Sequence, residues 1–141
     1  MTGSDQNNQT LKGQCLCGEI EFECAHPGEP ITICHCVQCR QWGGSPWAAT
    51  SVPVETFKVT RGESALKWFV SSNFARRGFC RTCGSSLFWH ADRHPDWSSG
   101  IAISAGCLKE PTRLSVARHI WCKSKGDYYT IEGDLPQDLE E

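Results

Sequence analysis

The chain has no apolar run approaching the ~20 residues that cross a bilayer. Its first ten residues, Met1 to Thr10, are polar, with neither a basic start nor an apolar stretch. No signal peptide is expected, which predicts a cytoplasmic protein with reduced thiols. Charge of one sign is missing too: the net charge is -2 with 21% charged residues. With no field of one sign, neither nucleic acid nor an anionic membrane is an expected partner, and the absence of a basic tail argues against nucleic acid or a filament. Internal repeats and low-complexity linkers are absent, and 141 residues suit one domain around one core.

Thirteen glycines and seven prolines among few apolar runs favour short strands joined by turns. From Gly13 to Cys24, the residues Ile20, Phe22 and Cys24 alternate with Glu19, Glu21 and Glu23, which reads as one strand. Pro27-Gly28-Glu29-Pro30 reads as a turn. Further strands are expected at 31–34, 47–52, 54–60, 65–71, 86–89 and 101–104. His119 to Cys122 and Tyr128 to Ile131 are expected to close an all-β domain. The expected boundaries are a disordered leader at 1–11, one domain at 12–136 and a frayed acidic tail at 137–141.

Ten cysteines are many for a reducing compartment, where clustered thiols are metal ligands more often than disulfides. Cys34-His35-Cys36-Val37-Gln38-Cys39-Arg40 crowds three thiols that cannot all pair with one another but can all reach one ion. Cys15-Leu16-Cys17 precedes it and Cys80-Arg81-Thr82-Cys83 follows. In extended backbone residues i and i+2 share a face, so each C-x-C offers two sulfurs in one direction. Cys80-x-x-Cys83-Gly84 reads as a tight knuckle. Cys15, Cys17, Cys80 and Cys83 supply the four ligands of a closed zinc site. Cys34, Cys36 and Cys39 supply three, the number that leaves a position open for ligand or substrate. A zinc ribbon pairing Cys36 and Cys39 with Cys80 and Cys83 competes, but leaves Cys15, Cys17 and Cys34 unexplained.

In extended backbone His35 points away from the neighbouring sulfurs, so it reads as a pocket residue behind them or an exposed one. Arg40 either offsets thiolate charge, meets a substrate carboxylate or is simply solvated. Trp42 and Trp47 flank the three-thiol stretch and are expected to line an apolar cleft. Cys24, Cys107 and Cys122 read as core cysteines. His26, His90 and His94 read as surface residues, His119 as a structural histidine, and Trp68, Trp89, Trp97 and Trp121 as packing.

Gly13-x-Cys15-x-Cys17-Gly18-x-Ile20-x-Phe22, Cys34-His35-Cys36-x-x-Cys39-Arg40 and Phe79-Cys80-x-x-Cys83-Gly84-Ser85 together resemble the glutathione-dependent formaldehyde-activating enzyme (Gfa) and centromere-protein-V family. The resemblance extends over nearly the whole chain. It implies an Mss4-like β-tent of short antiparallel sheets around two Zn2+ ions per chain. Cys15, Cys17, Cys80 and Cys83 would hold the structural ion, and Cys34, Cys36 and Cys39 the second, catalytic one. The implied activity is that of a carbon-sulfur lyase joining glutathione and formaldehyde reversibly into S-(hydroxymethyl)glutathione, so a small thiol and an aldehyde are the expected partners. His35, Arg40, Trp47 and Arg77 are the expected substrate-binding residues, with Arg40 or Arg77 offsetting thiolate charge. The alternative is a thiol-binding carrier without turnover, or a zinc-stabilised interaction module. Tyr128-Tyr129 departs from the family, whose members often carry a Trp in this stretch.

Overall fold

Alternate burial builds the first sheet. In the structure, a computed structural model that describes residues 10–25 and 29–141, β1 (Thr10–Gln14) buries Leu11 and Gly13. β2 (Glu21–Ala25) buries Phe22 and Cys24 and turns its glutamates outward. The two pair antiparallel, Gly13 opposite Phe22. A Cβ on Gly13 would collide with the Phe22 ring and with the Cys107 carbonyl, so the close approach of these segments requires glycine. The single strand expected from Gly13 to Cys24 is therefore a hairpin, broken where Cys15 to Gly18 turn. The chain then passes through β3 (Ile31–Cys34), the helix α1 (Val37–Gly43) and β4 (Trp47–Pro53). After a 3-10 turn at Val54–Thr56, where strand was expected, β5 (Lys58–Arg61) returns to pair with β2.

The remaining strands are β6 (Leu66–Val70), β7 (Arg76–Cys80), β8 (Ser86–His90), β9 (Gly100–Ser104) and β10 (Val116–Ile120). They form a seven-stranded sheet with β3 and β4 in the order β10-β3-β4-β9-β8-β7-β6. Every pairing is antiparallel except β10 with β3, which run parallel. Of the described residues 40% lie in strands and 15% in helices, 3-10 turns included, so the molecule is β-rich as expected. No helix among the described residues is long and apolar enough to cross a membrane.

The core lies between the two sheets. Phe88 is fully buried, with Phe22 and Phe57 packed edge-on at ring-centre distances of 5.0 and 4.8 Å. Ile20, Leu87 and Ile103 are also fully buried around it. Each such side chain contributes about 1.5–3 kcal/mol by leaving water.

Several expectations change on contact with the fold. Residues 1–9 and the turn at Pro27-Gly28 lie outside the described residues, as does His26. Thr10 and Leu11 belong to β1 and not to a leader. The tail is not frayed: Gln137 bridges to His119, Trp121 N donates to Glu140 O, and Arg118 pairs with Asp138 at 3.1 Å. These contacts cover the outer edge of β10, whose backbone groups would otherwise face solvent. His90 is buried, its Nε2 2.9 Å from Ser98 O. Trp97 is exposed and stacks flat on His94. Cys24 is buried, but Cys107 and Cys122 are only half-buried. Tyr128 to Ile131 form no strand.

Candidate functional site

Two tight turns bring four thiols together. Gly18 N donates to Cys15 O at 3.1 Å, with Gly18 at φ +81°, a left-handed conformation that glycine adopts freely. The second turn repeats this: Gly84 N reaches Cys80 O at 2.7 Å with Gly84 also at φ +81°. Leu16 N donates to Ser85 Oγ at 2.8 Å, and Ser85 Oγ lies 3.2 Å from Cys83 Sγ, which locks one turn to the other. Cys15 and Cys17 thus sit on a turn rather than on the strand face expected, yet their sulfurs are 3.6 Å apart. Cys17 and Cys80 are 3.9 Å apart, and all four ligand atoms lie within 4.8 Å of one another. A tetrahedral ion with thiolates at about 2.3 Å requires sulfur edges of about 3.8 Å. The donor set therefore fits. Backbone N–H groups of Ile20 and Cys83 point at Cys15 Sγ and Cys80 Sγ, at 3.3 and 3.5 Å, as a thiolate would want.

Three other thiols gather where β3 meets α1. Cys34 ends β3 opposite Trp47 of β4. Cys36 is the N-cap of α1, its sulfur accepting from Cys39 N at 3.3 Å, and Cys39 occupies the first turn. Their ligand atoms lie within 4.8 Å of one another. The sulfurs thus fall into a group of four and a group of three, which is not the grouping of the zinc ribbon. Within the trio, hydrogen bonds from Cys34 and then Cys39 hold the Cys36 thiol well below its ordinary pKa. Hydrogen bonding to Cys36 and Cys39, with burial, pushes Cys34 up. Held low by its neighbours, Cys36 is the sulfur of the three that favours the thiolate form.

Arg77 meets this negative charge from β7. It is 4% exposed. One terminal nitrogen donates to Cys39 Sγ at 3.6 Å and the other to Gln38 Oε1 at 3.2 Å. The guanidinium lies 5.1 Å from the Trp42 ring centre, and Nε has no hydrogen-bond partner among the described residues. Beside it opens a cavity of about 340 Å3 lined by Gln38, Gln41, Trp42, Phe69, Ser71 and Arg77.

The other expected site residues stand elsewhere. His35 is buried and faces away from the sulfurs, its Nδ1 2.8 Å from Tyr129 Oη and its Nε2 2.9 Å from His119 Nδ1. Burial, followed by the charges of His119, Arg40 and Lys125, holds His35 below its ordinary pKa. Arg40 donates to His35 O at 3.2 Å and Ser124 O at 2.9 Å, clipping the three-thiol segment to the 122–124 turn. Trp47 packs edge-on behind Trp42 at 5.1 Å and does not wall the cavity. Gln38, Gln41 and Phe69 were not singled out from sequence. Recognising α1 would have found the first two, since 38, 41 and 42 share a helical face.

The chain is similar to known proteins over most of its length. Residues 10–124 match the glutathione-dependent formaldehyde-activating enzyme family. An uncharacterized lyase of Schizosaccharomyces pombe is 36% identical over 118 residues, covering 84% of this chain and 82% of that protein. A crystal structure of a Rhodobacter sphaeroides protein shares the fold, with a TM-score of 0.59, 22% identity, and coverage of 89% of this chain and 98% of that one. The three cysteine motifs, their division into four and three, and the match from Thr10 to Ser124 lead to one assignment: the chain belongs to the glutathione-dependent formaldehyde-activating enzyme family.

Proposed function

We propose that this protein is a zinc-dependent carbon-sulfur lyase that reversibly joins a thiol such as glutathione to formaldehyde or a related aldehyde. The observation that carries the reading is the three-thiol cluster with Arg77 on one of its sulfurs and a cavity that Arg77 also lines. A closed scaffold site has no use for a third-plus-open ligand set or for a buried cation against it. Cys15, Cys17, Cys80 and Cys83 would hold a structural zinc, and Cys34, Cys36 and Cys39 a second one.

The chemistry that zinc supplies in such a site is acidification of a thiol and polarisation of a carbonyl. Cys34, Cys36 and Cys39 leave the site net negative, which disfavours a further thiolate. Arg77 offsets that charge from within hydrogen-bonding reach of Cys39. Trp42 and Phe69 give the cavity an apolar wall against which the adduct packs. In the forward direction the sulfur lone pair forms the C–S bond, and the carbonyl π pair moves to oxygen. That oxygen takes the proton the thiol gave up. The reverse reaction breaks the same C–S bond.

The test is magnetisation-exchange NMR on mixtures of glutathione and formaldehyde. The protein should raise the interconversion rate well above the uncatalysed background, and Cys36→Ser, with the four-thiol site intact, should return it to background. Equal rates for both proteins would refute the assignment.

A further inference from the structure

Three cations stand on the two strands nearest the cavity: Lys67 on β6, and Arg76 and Arg77 on β7. Two are committed. Arg76 lies 4.1 Å from the Trp68 ring centre, and its Nε pairs with Asp92 at 3.5 Å. Arg77 is buried against Cys39 and Gln38 and cannot turn to another anion without leaving the thiolates. Lys67 is exposed and has no hydrogen bond or ion pair among the described residues.

Its position follows from the register. Phe69, which walls the cavity, lies opposite Arg77, and Lys67 lies opposite Phe79. Residues two apart on a strand share a face, so Lys67 stands on the cavity side of β6, about 7 Å along the strand from Phe69. Because β6 is the edge of the sheet, no further strand covers this side. The ammonium rides on a flexible four-carbon stem, which lets it swing over the mouth between Phe69 and solvent.

The cavity's own walls carry no uncommitted cation for a carboxylate. Trp42 and Phe69 are apolar, Gln38 and Ser71 engage each other through Gln38 Nε2 and Ser71 O, and Arg77 serves Cys39. An anionic thiol entering here would leave its carboxylate without a charged partner, at a cost, unless one came from the rim. We propose that Lys67 binds a carboxylate of the thiol substrate, making it the residue that selects acidic thiols of the glutathione type over neutral ones. This rests on the thiol–aldehyde reading of the three-thiol site and names the class of thiol.

The experiment compares calorimetric affinities for S-methylglutathione, a stable analogue of the adduct, and for its dimethyl ester, whose carboxylates are masked. Wild type, Lys67→Ala, Lys67→Arg and Lys67→Glu are measured at low and high salt. Lys67→Ala should weaken S-methylglutathione roughly two- to fivefold, the range of an exposed ion pair, and leave the ester unchanged. Lys67→Arg should hold the wild-type value, Lys67→Glu should lose more than Lys67→Ala, and the differences should shrink in high salt. Equal losses for acid and ester, no loss at all, or no binding of S-methylglutathione by wild type would overturn the proposal. Turnover of glutathione with formaldehyde is followed in parallel. Its absence alongside Lys67-dependent binding would refute the lyase reading and leave the carboxylate anchor standing. Turnover indifferent to Lys67 would refute the anchor alone.

Discussion

Arg77 donates from a terminal nitrogen to the Cys39 sulfur at 3.6 Å, from a position only 4% exposed. A cation is rarely buried without a reason, because stripping water from a guanidinium costs several kcal/mol unless an anion and hydrogen bonds replace it. Here the Cys39 sulfur, the Gln38 amide oxygen and the Trp42 face do so, with Cys36 as the nearby negative charge. The pair ties β7 to α1, and so ties the strand carrying Cys80 to the helix carrying Cys39.

Replacing Arg77 should therefore act on the second metal site before it acts on the fold. Arg77→Lys keeps a charge but loses the two-pronged contact, and should weaken zinc at the three-thiol site by about 10–100-fold, the cost of losing a group that orients a ligand. Chelator competition that follows release of the weaker ion measures this. An unchanged affinity would separate Arg77 from the metal.

The four-thiol site joins the β1–β2 hairpin to the turn after β7, and its loss should be felt by the whole molecule. Structural zinc sites supply about 10–16 kcal/mol of apparent binding energy. Cys80→Ala should lower Tm by roughly 10 °C or more, whereas Cys36→Ser should lower it far less. Differential scanning calorimetry of the two variants distinguishes these cases.

Protons should leave when the second site fills. Cys36 is held low by its neighbours, while Cys34 and Cys39 are raised, so near neutral pH two of the three sulfurs carry protons. Zinc binds thiolates. Loading the three-thiol site should therefore release about two protons, and its affinity should rise about 100-fold per pH unit near neutrality and fall as pH drops. Calorimetry in buffers of different ionisation enthalpy counts the protons directly.

Tyr129 gives the departure at Tyr128-Tyr129 a physical role. Its hydroxyl lies 2.8 Å from His35 Nδ1 and accepts from Gly126 N at 3.2 Å. Tyr129→Phe would leave a buried imidazole nitrogen unsatisfied and should cost about 1–3 kcal/mol. Denaturant unfolding of the two proteins reads that difference.

The alternation of Glu21, Phe22, Glu23 and Cys24 was legible because one face of β2 is solvated. So was the division of seven thiols into four and three, because metal geometry restricts which sulfurs can share an ion. The helix α1 was not. It is seven residues long, too short for an apolar stripe to repeat, and its start is marked by Cys36 rather than by Ser, Thr, Asp or Asn. Its end was visible in Gly43-Gly44, with Gly44 at φ +84°. Arg77 was named as a charge-offsetting residue, but Phe69 beside the cavity was missed because an exposed aromatic on an edge strand has no local signature. The docked tail was missed for a different reason. Its backbone pairs with 119–123, and such pairing leaves little mark on side-chain pattern.

Native mass spectrometry of the metal-loaded protein tests most directly whether two different zinc sites exist, one closed and one open. The account predicts two zinc ions per chain in wild type, one in Cys36→Ser, and a complex of the two-zinc form with S-methylglutathione that Cys36→Ser does not make. A single zinc in wild type, or a metal-free chain with its cysteines in disulfides, would contradict it.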